Sequence, residues 1–276
     1  MISVIEILKA VLFGIVEGIT EWLPISSTGH MILLNEFVTL EVSPEFWEMF
    51  LVVIQLGAIL AVVILFWNKI FPFHFQEKPV IQTDIFVLWF KILVACIPAA
   101  VIGLAFDDVF DALFYHPWCV AIALIVFGIA FILIENRNRN ASPRITELSQ
   151  ITYQTALLIG VFQLLAAVFP GTSRSGATIV GALLIGVSRT VAAEFTFFLA
   201  IPVMLGASLL KVVKFGFTFT SEELVILLVG MIVAFLVSVV VIRFLMGYIK
   251  KHDFKVFGWY RIVLGAAVLM YFAFAG

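Results

Sequence analysis

The chain has 276 residues, 63% of them hydrophobic and only 12% charged, with a net charge of −2 and a mean hydropathy of +1.19. It is too apolar for a soluble globule and reads as a polytopic membrane protein. The near-neutral charge argues against a nucleic-acid partner, and the lack of a long polar run argues against a separate soluble domain, so one integral membrane domain over 1–276 is expected.

In chain order, the first region, 2–34, is apolar but interrupted at Pro24, where Ser26, Ser27 and Thr28 follow. Its start does not read as a cleavable signal peptide, because Glu6 and Lys9 break the first apolar run and no small-residue cleavage site follows. Three uninterrupted stretches come next, 49–67, 85–106 and 118–134, each near the roughly 20 helical residues that cross a hydrocarbon core. A second broken region, 153–187, is interrupted at Pro170, and three more spans close the chain at 192–210, 224–242 and 256–275. Neither half of a broken region can cross alone. Each region therefore reads as a re-entrant helical hairpin whose irregular middle is buried in protein or lines a wet cavity. The expected fold is all-α, with six transmembrane helices plus two re-entrant hairpins.

Smaller features fit that frame. Pro98 and Pro202 fall inside spans as kinks, and Gly14 and Gly18 form a small-xxx-small packing pair. Trp22, Trp47, Trp67, Trp118 and Trp259 sit near expected ends as interfacial anchors. Cys96 and Cys119 lie in apolar stretches and are expected as buried structural thiols.

Loop charge orients the spans. Lys69, Lys78, Arg137, Arg139, Arg144, Arg189, Arg243, Lys250, Lys251 and Lys255 fall on alternate loops, which the positive-inside rule makes cytoplasmic. The opposite loops carry only Lys211 and Lys214 and are otherwise acidic, with Glu36, Glu41, Glu45, Asp107, Asp108, Asp111, Glu222 and Glu223. With re-entrant hairpins, both termini then lie outside, and the first hairpin opens outward and the second inward.

The two broken regions also resemble each other. A slide of 146 residues lays Gly14 on Gly160, Glu17 on Gln163, Pro24 on Pro170, Ser26 on Thr172 and Ser27 on Ser173. Repeats of about 1–134 and 150–276, inverted about an axis in the membrane plane, follow from that match and from the opposite openings.

The chemistry-bearing residues concentrate at the breaks. Glu17 and Glu21 are four apart, about 40° apart around a helix, and like charges so placed repel. Either a divalent cation such as Mg²⁺ lies between them, completed by water and phosphate oxygens, or they are two acids facing a wet cavity without metal. Ser26, Ser27 and Thr28 are N-cap types that would start a half-helix with free N–H groups facing the cavity, a phosphate-binding arrangement. The second break repeats the device in Pro170-Gly-Thr-Ser-Arg-Ser-Gly-Ala-Thr178, where Arg174 adds a fork suited to phosphate oxygens. Arg174 reads as the only basic residue near a membrane centre, since Lys91 and Arg261 lie close enough to ends to snorkel. His30 is the sole histidine in an apolar segment, with His74, His116 and His252 in loops. A lone histidine is commonly structural, but one turn after Ser27 it could serve as base or acid beside a hydroxyl nucleophile. Carboxylates, hydroxyls, imidazole, arginine and two half-helix N-termini together describe phosphoryl transfer.

The run Glu17-Gly-Ile-Thr-Glu21-Trp-Leu-Pro-Ile-Ser-Ser27-Thr-Gly-His30 and the run Pro170-Gly-Thr-Ser173-Arg174-Ser-Gly-Ala-Thr178 resemble, without a gap, the two motifs of the undecaprenyl-diphosphate phosphatase family, membrane enzymes associated with bacitracin resistance. The likeness extends over essentially the whole chain. It implies hydrolysis of undecaprenyl diphosphate at the outer, periplasmic face of a bacterial inner membrane, regenerating the lipid carrier for peptidoglycan and other envelope polymers. It also implies a site among Glu17, Glu21, Ser27, His30, Ser173, Arg174 and Thr178, with a divalent cation, Mg²⁺ or Ca²⁺, on Glu17 and Glu21. On that reading Ser173, Arg174 and Thr178 bind phosphoryl oxygens and Ser27 attacks with His30 as proton acceptor; His30 or an activated water as nucleophile stays open, as does a homodimer. A transporter or flippase of polyprenyl phosphates is the rival, because inverted repeats with broken helices are a transporter architecture. The acid-phosphatase-like lipid phosphatases also carry a Ser-Gly-His element, but their second histidine pattern is missing.

Overall fold

The computed structural model describes residues 3–73, 80–114, 116–216 and 218–275; the side chains at 104, 107, 108, 111 and 275 are not described. His74 and Lys78 lie outside the described residues, as do the side chains of Asp107, Asp108 and Asp111. The elements are α1 (Val4–Thr20), α2 (Ser27–Phe37), α3 (Pro44–Val53), α4 (Gln55–Leu65), α5 (Trp67–Ile70), α6 (Thr83–Phe114), α7 (Pro117–Asn138), a 3-10 turn (Leu148–Gln150), α8 (Tyr153–Val168), α9 (Arg174–Ile185), α10 (Arg189–Phe215), α11 (Ser221–Tyr248) and α12 (Lys255–Ala275). Among the described residues there is no strand, only isolated bridges at Phe73–Ile81 and Ile145–Val187.

Among the described residues, six helices are long and apolar enough to cross a membrane: Pro44–Leu65, Thr83–Gly103, Pro117–Asn138, Arg189–Phe215, Ser221–Tyr248 and Lys255–Phe274. The chain is a multi-pass membrane protein. Hydroxyl caps set where its helices start. Ser43, Thr152 and Ser188 accept from the N–H of Phe46, Thr155 and Val191, and Thr220 and Glu223 form a reciprocal capping box. These caps place starts earlier than hydropathy alone does. The first span begins at Pro44 rather than 49, and it runs through the α3–α4 junction because Ile54 keeps helical angles of φ −57° and ψ −29°. α6 continues past 106 to Phe114, so 107, 108 and 111 belong to a helix and not to the loop expected from their charge.

α1 packs along α11, and α8 along α6; α7 pairs with α12, and α3 and α9 pack on α10. Small residues permit the close approaches. A methyl group at Gly14 would lie 2.7 Å from the Gly230 carbonyl oxygen, and one at Gly18 2.8 Å from that of Ala234. Gly128 and Gly258 meet reciprocally at 2.7 Å between α7 and α12. A Gly14→Ile chain should therefore melt about 3–8 °C lower in detergent, as overpacking by about 1–3 kcal/mol requires, whereas Gly206→Ala, with nothing within 4 Å of the new methyl, should melt as wild type. Equal melting points for the two would refute close α1–α11 packing.

The lipid-facing surface is legible on α11. Leu224, Leu228, Ile232, Leu236, Val240 and Phe244, spaced by four, are all exposed, while Ile226, Gly230, Ala234, Ser238 and Ile242 are buried. By contrast α9 is enclosed on every side from Ser175 to Leu183. Two expectations fail here. Trp22 is no interfacial anchor: it is fully buried, edge-to-face with Phe197 at a centroid distance of 5.2 Å. Cys96 and Cys119 are free thiols only half-buried.

Candidate active site

Each broken region is two helices joined by a short irregular passage. α1 and α2 have 17 and 11 residues, α8 and α9 have 16 and 12, so every piece is shorter than the roughly 20 residues of a full span. Proline has no N–H to continue a helix and pushes the preceding residue out of helical angles. After Pro24 the chain turns sharply, with Ile25 N–H donating to Leu23 O at 2.7 Å, and Ser26 takes φ 76°. After Pro170 the passage is one residue longer, with Gly171 at φ 91° and Ser173 at φ 69°. Ser26 and Ser173 are the only non-glycine residues with positive φ among those described, a conformation that costs on the order of 1–3 kcal/mol each.

The two serines play one role. Ser26 Oγ accepts from Gly29 N–H at 3.3 Å, and Ser173 Oγ from Gly176 N–H at 3.2 Å. The cap residues are thus related by a shift of 147, not the 146 that matches the prolines, because one more residue separates Pro170 from its cap than separates Pro24 from Ser26. Ser26 corresponds to Ser173, not to Thr172. Ser27 and Arg174 consequently occupy the same place, the first residue of a half-helix, and both reach Glu21.

That convergence is the centre of the site. Arg174 Nη2 donates to Glu21 Oε1 at 2.8 Å, and Ser27 Oγ donates to Glu21 Oε2 at 2.7 Å. Arg174 Nη1 donates to Thr196 O at 3.0 Å, and Ser175 Oγ to Glu21 O at 3.2 Å. Thr178 lies one layer behind, its Oγ1 donating to Arg174 O at 2.9 Å and accepting from Thr196 Oγ1 at 2.9 Å. Glu17 is buried beside Glu21, close enough for the two carboxyl groups to interact, and its Oε1 has no hydrogen-bond partner. Arg174 Nε is likewise unpartnered.

Ser27, Thr28 and Gln55 line two adjoining cavities. The smaller, about 220 Å³, also takes in Glu21, Gly171, Ser173 and Arg174; the larger, about 480 Å³, takes in Glu17, Glu48 and Lys211. Of the residues singled out from the sequence, Glu17, Glu21, Ser27, Thr28, Ser173 and Arg174 therefore line these two adjoining cavities, which Ser27 and Thr28 share, with Ser26 and Thr178 supporting them. His30 is turned away. Its Nδ1 lies 2.7 Å from Ser26 O and its Nε2 2.7 Å from the Tyr260 hydroxyl, with the two rings stacked. A carbonyl only accepts, so Nδ1 carries the proton and donates to Ser26 O, while Nε2 pairs with the Tyr260 hydroxyl.

Arg261 corrects the sequence reading most. It does not snorkel: it is fully buried and donates from Nη1 to Pro24 O at 3.1 Å and from Nη2 to Gly171 O at 2.9 Å and Thr172 O at 2.8 Å, with a longer bond from Nε to Leu124 O at 3.4 Å. One side chain thus holds both passages, and Arg174 is not the sole interior cation. Lys91 does not snorkel either; it is buried, with Nζ 3.3 Å from Ser149 O. The position of Arg261, five residues into the apolar 256–275 stretch, was an available signal, as was Gln55, a polar residue inside a span. Tyr260 and Thr196 carried none.

An all-helical multi-pass protein that buries two carboxylates and sets a serine and an arginine, the first residues of two half-helices, on one of them at a cavity wall is of the class of integral-membrane proteins built to handle a phosphorylated group. The chain belongs to the family described as bacitracin resistance protein BacA, which matches residues 10–267. It is 68% identical over 271 residues to the undecaprenyl-diphosphatase of Desulfitobacterium hafniense, covering 98% of each chain. It is 67% identical over 268 residues to undecaprenyl-diphosphatase 1 of Clostridium acetobutylicum (97% of this chain, 98% of the relative) and 65% identical over 268 residues to an undecaprenyl-diphosphatase of Enterococcus faecalis (96% and 97%).

Proposed function

We propose that this chain hydrolyses undecaprenyl diphosphate to undecaprenyl phosphate and inorganic phosphate, recycling the lipid carrier of cell-wall synthesis and thereby giving bacitracin resistance. The observation that carries the reading is the chain of contacts from Arg174 through Glu21 to Ser27 at a cavity wall. A carrier that only moved a phospholipid would need the arginine but not a hydroxyl already bonded to a carboxylate.

In the reaction, Ser27 Oγ attacks the distal phosphorus and its proton passes to Glu21 Oε2. The anhydride P–O bond breaks, undecaprenyl phosphate leaves, and water then hydrolyses the phosphoserine. Arg174 holds Glu21 in place and brings its positive charge to the cavity wall, while the N-termini of α2 and α9, with Thr28 and Ser173, face the charge that develops. Thr178 and Ser26 position these groups. His30, fixed by Tyr260, donates to Ser26 O and so supports the strained cap.

The donor set fits a divalent cation, since Glu17 Oε1 is a buried oxygen without a partner beside a second carboxylate. No group of three or more His, Cys, Asp or Glu surrounds it among the described residues, which suits Mg²⁺ or Ca²⁺ completed by water and substrate oxygens rather than an all-protein cage. Held by Glu17 and Glu21, the ion would supply charge neutralisation for the diphosphate.

For topology, we read α1–α2 and α8–α9 as re-entrant hairpins of an inverted repeat, about 1–134 and 150–276, within one membrane domain. The exchanged partnerships of α1 with α11 and α8 with α6, the reciprocal Gly128–Gly258 contact and the matched caps support this. The cavity beside Glu48 and Lys211 then opens on the cation-poor, periplasmic side of a bacterial inner membrane, and one chain supplies every group named, whether monomer or homodimer.

The test is phosphate release from a polyprenyl diphosphate by purified protein in detergent. Wild type should release phosphate, a chelator should reduce the rate more than about tenfold, and added Mg²⁺ or Ca²⁺ should restore it. No release by well-folded wild type would overturn the phosphatase reading; release untouched by chelator would overturn the metal.

A further inference from the structure

Lys211 and Arg174 are the only cations among the lining residues of the two adjoining cavities, which also carry Glu17, Glu21 and Glu48. Even with a cation on Glu17 and Glu21, Glu48 stays at the wall of the larger cavity, and a diphosphate approaching it is repelled unless a positive group receives it. Arg174 is already engaged, through Nη2 with Glu21 and through Nη1 with Thr196 O, and it lines the smaller cavity. Lys211 is different. Its Nζ stands 3.6 Å from Glu48 Oε2, longer than a hydrogen bond, and the two side chains are 33% and 71% exposed. Exposed pairs of that kind are weak and exchange easily.

Its place on the cavity wall is nonetheless held. One turn earlier on α10, buried Ser208 donates to Val52 O on α3 at 3.3 Å, and Val52 lines the same cavity. An ammonium is a compact charge with three rotatable donors, suited to a phosphate that is still moving, whereas the guanidinium fork suits one that has arrived. We propose that Lys211 is a substrate-binding residue, which releases Glu48 and receives the distal phosphate of the lipid diphosphate on its way to Ser27. This rests on the phosphatase reading above, and it assigns the larger cavity as the route of the anionic headgroup.

The experiment compares wild type with Lys211→Ala, Glu48→Gln and Lys214→Ala; Lys214 is an exposed lysine three residues further along α10 that lines neither cavity. Two quantities are read on the full chain in detergent: equilibrium binding of inorganic pyrophosphate, and KM and kcat with a polyprenyl diphosphate. Lys211→Ala should weaken pyrophosphate binding about five- to tenfold and raise KM by a similar factor, with a smaller effect on kcat. Glu48→Gln should tighten binding, and Lys214→Ala should change it less than about twofold. Binding by Lys211→Ala within twofold of wild type, or an equal loss in Lys214→Ala, overturns the proposal. If wild type binds pyrophosphate and Lys211→Ala does not, while neither releases phosphate, the phosphatase reading fails and the anion-receiving role of Lys211 stands.

Discussion

Glu21→Gln should lower kcat for phosphate release by about 10²–10⁴-fold while changing KM far less, measured on purified protein in the presence of divalent cation. The amide is the same size and its oxygen can still accept from Ser27 Oγ, so the cavity and the α1 helix are expected to survive. Three functions are lost together. The amide cannot take the Ser27 proton, it leaves the Arg174 guanidinium without its 2.8 Å charge partner, and it removes one of the two carboxylates available to a cation. A Glu17→Gln chain shares only the last loss. It should be rescued in large part by raised Mg²⁺ or Ca²⁺, and Glu21→Gln should not. A Glu21→Gln enzyme within about tenfold of wild-type kcat would remove Glu21 as proton acceptor and return that role to His30 or water.

Arg261→Met should be the most destabilising single change, with a loss of at least about 3 kcal/mol seen as a lower melting temperature and loss of phosphate release even below it. The reason lies in its partners. Pro24 O, Gly171 O and Thr172 O belong to passages that no helix can satisfy, and each bond is made by one fully buried guanidinium. Removing it strands three carbonyls away from water, at about 1–3 kcal/mol apiece before relaxation. Ser26 and Ser173 then lose the support of the passages that lead into them, and the convergence of Ser27 and Arg174 on Glu21 loosens. Arg261→Lys, with donors but no fork, should recover part of the stability and less of the activity. A methionine chain that melts and turns over as wild type would show that the passages keep their geometry without the clamp.

Much of this was legible in the residues. Apolar runs of span length, hydroxyl caps and the two proline breaks are local signals, because a helix is set by its own neighbours and by the bilayer thickness; six spans and two broken regions follow from them. The carboxylates, hydroxyls and Arg174 of the motifs stood out for the same reason, since polar groups are expensive in an apolar segment. The resemblance carried the activity further than spacing could. Trp22, Lys91 and Arg261 were misplaced because distance from the end of an apolar run says how far a side chain can reach, not which carbonyls or rings other helices bring to it.

The chain alone determined the helices, their caps, the breaks and the set of reactive groups, because each depends on backbone chemistry within a few residues. Only the tertiary structure decided which groups meet. It set Ser27 against Glu21 instead of His30, since both imidazole nitrogens are taken by Ser26 O and by a tyrosine 230 residues away. It also gave the one-residue offset between the breaks its meaning, by bringing two half-helix starts, 147 residues apart, onto one carboxylate under a single buried arginine from α12. Such convergence is a long-range packing outcome, fixed by where glycines let helices touch and by which interior carbonyls need a donor, and no local pattern records it.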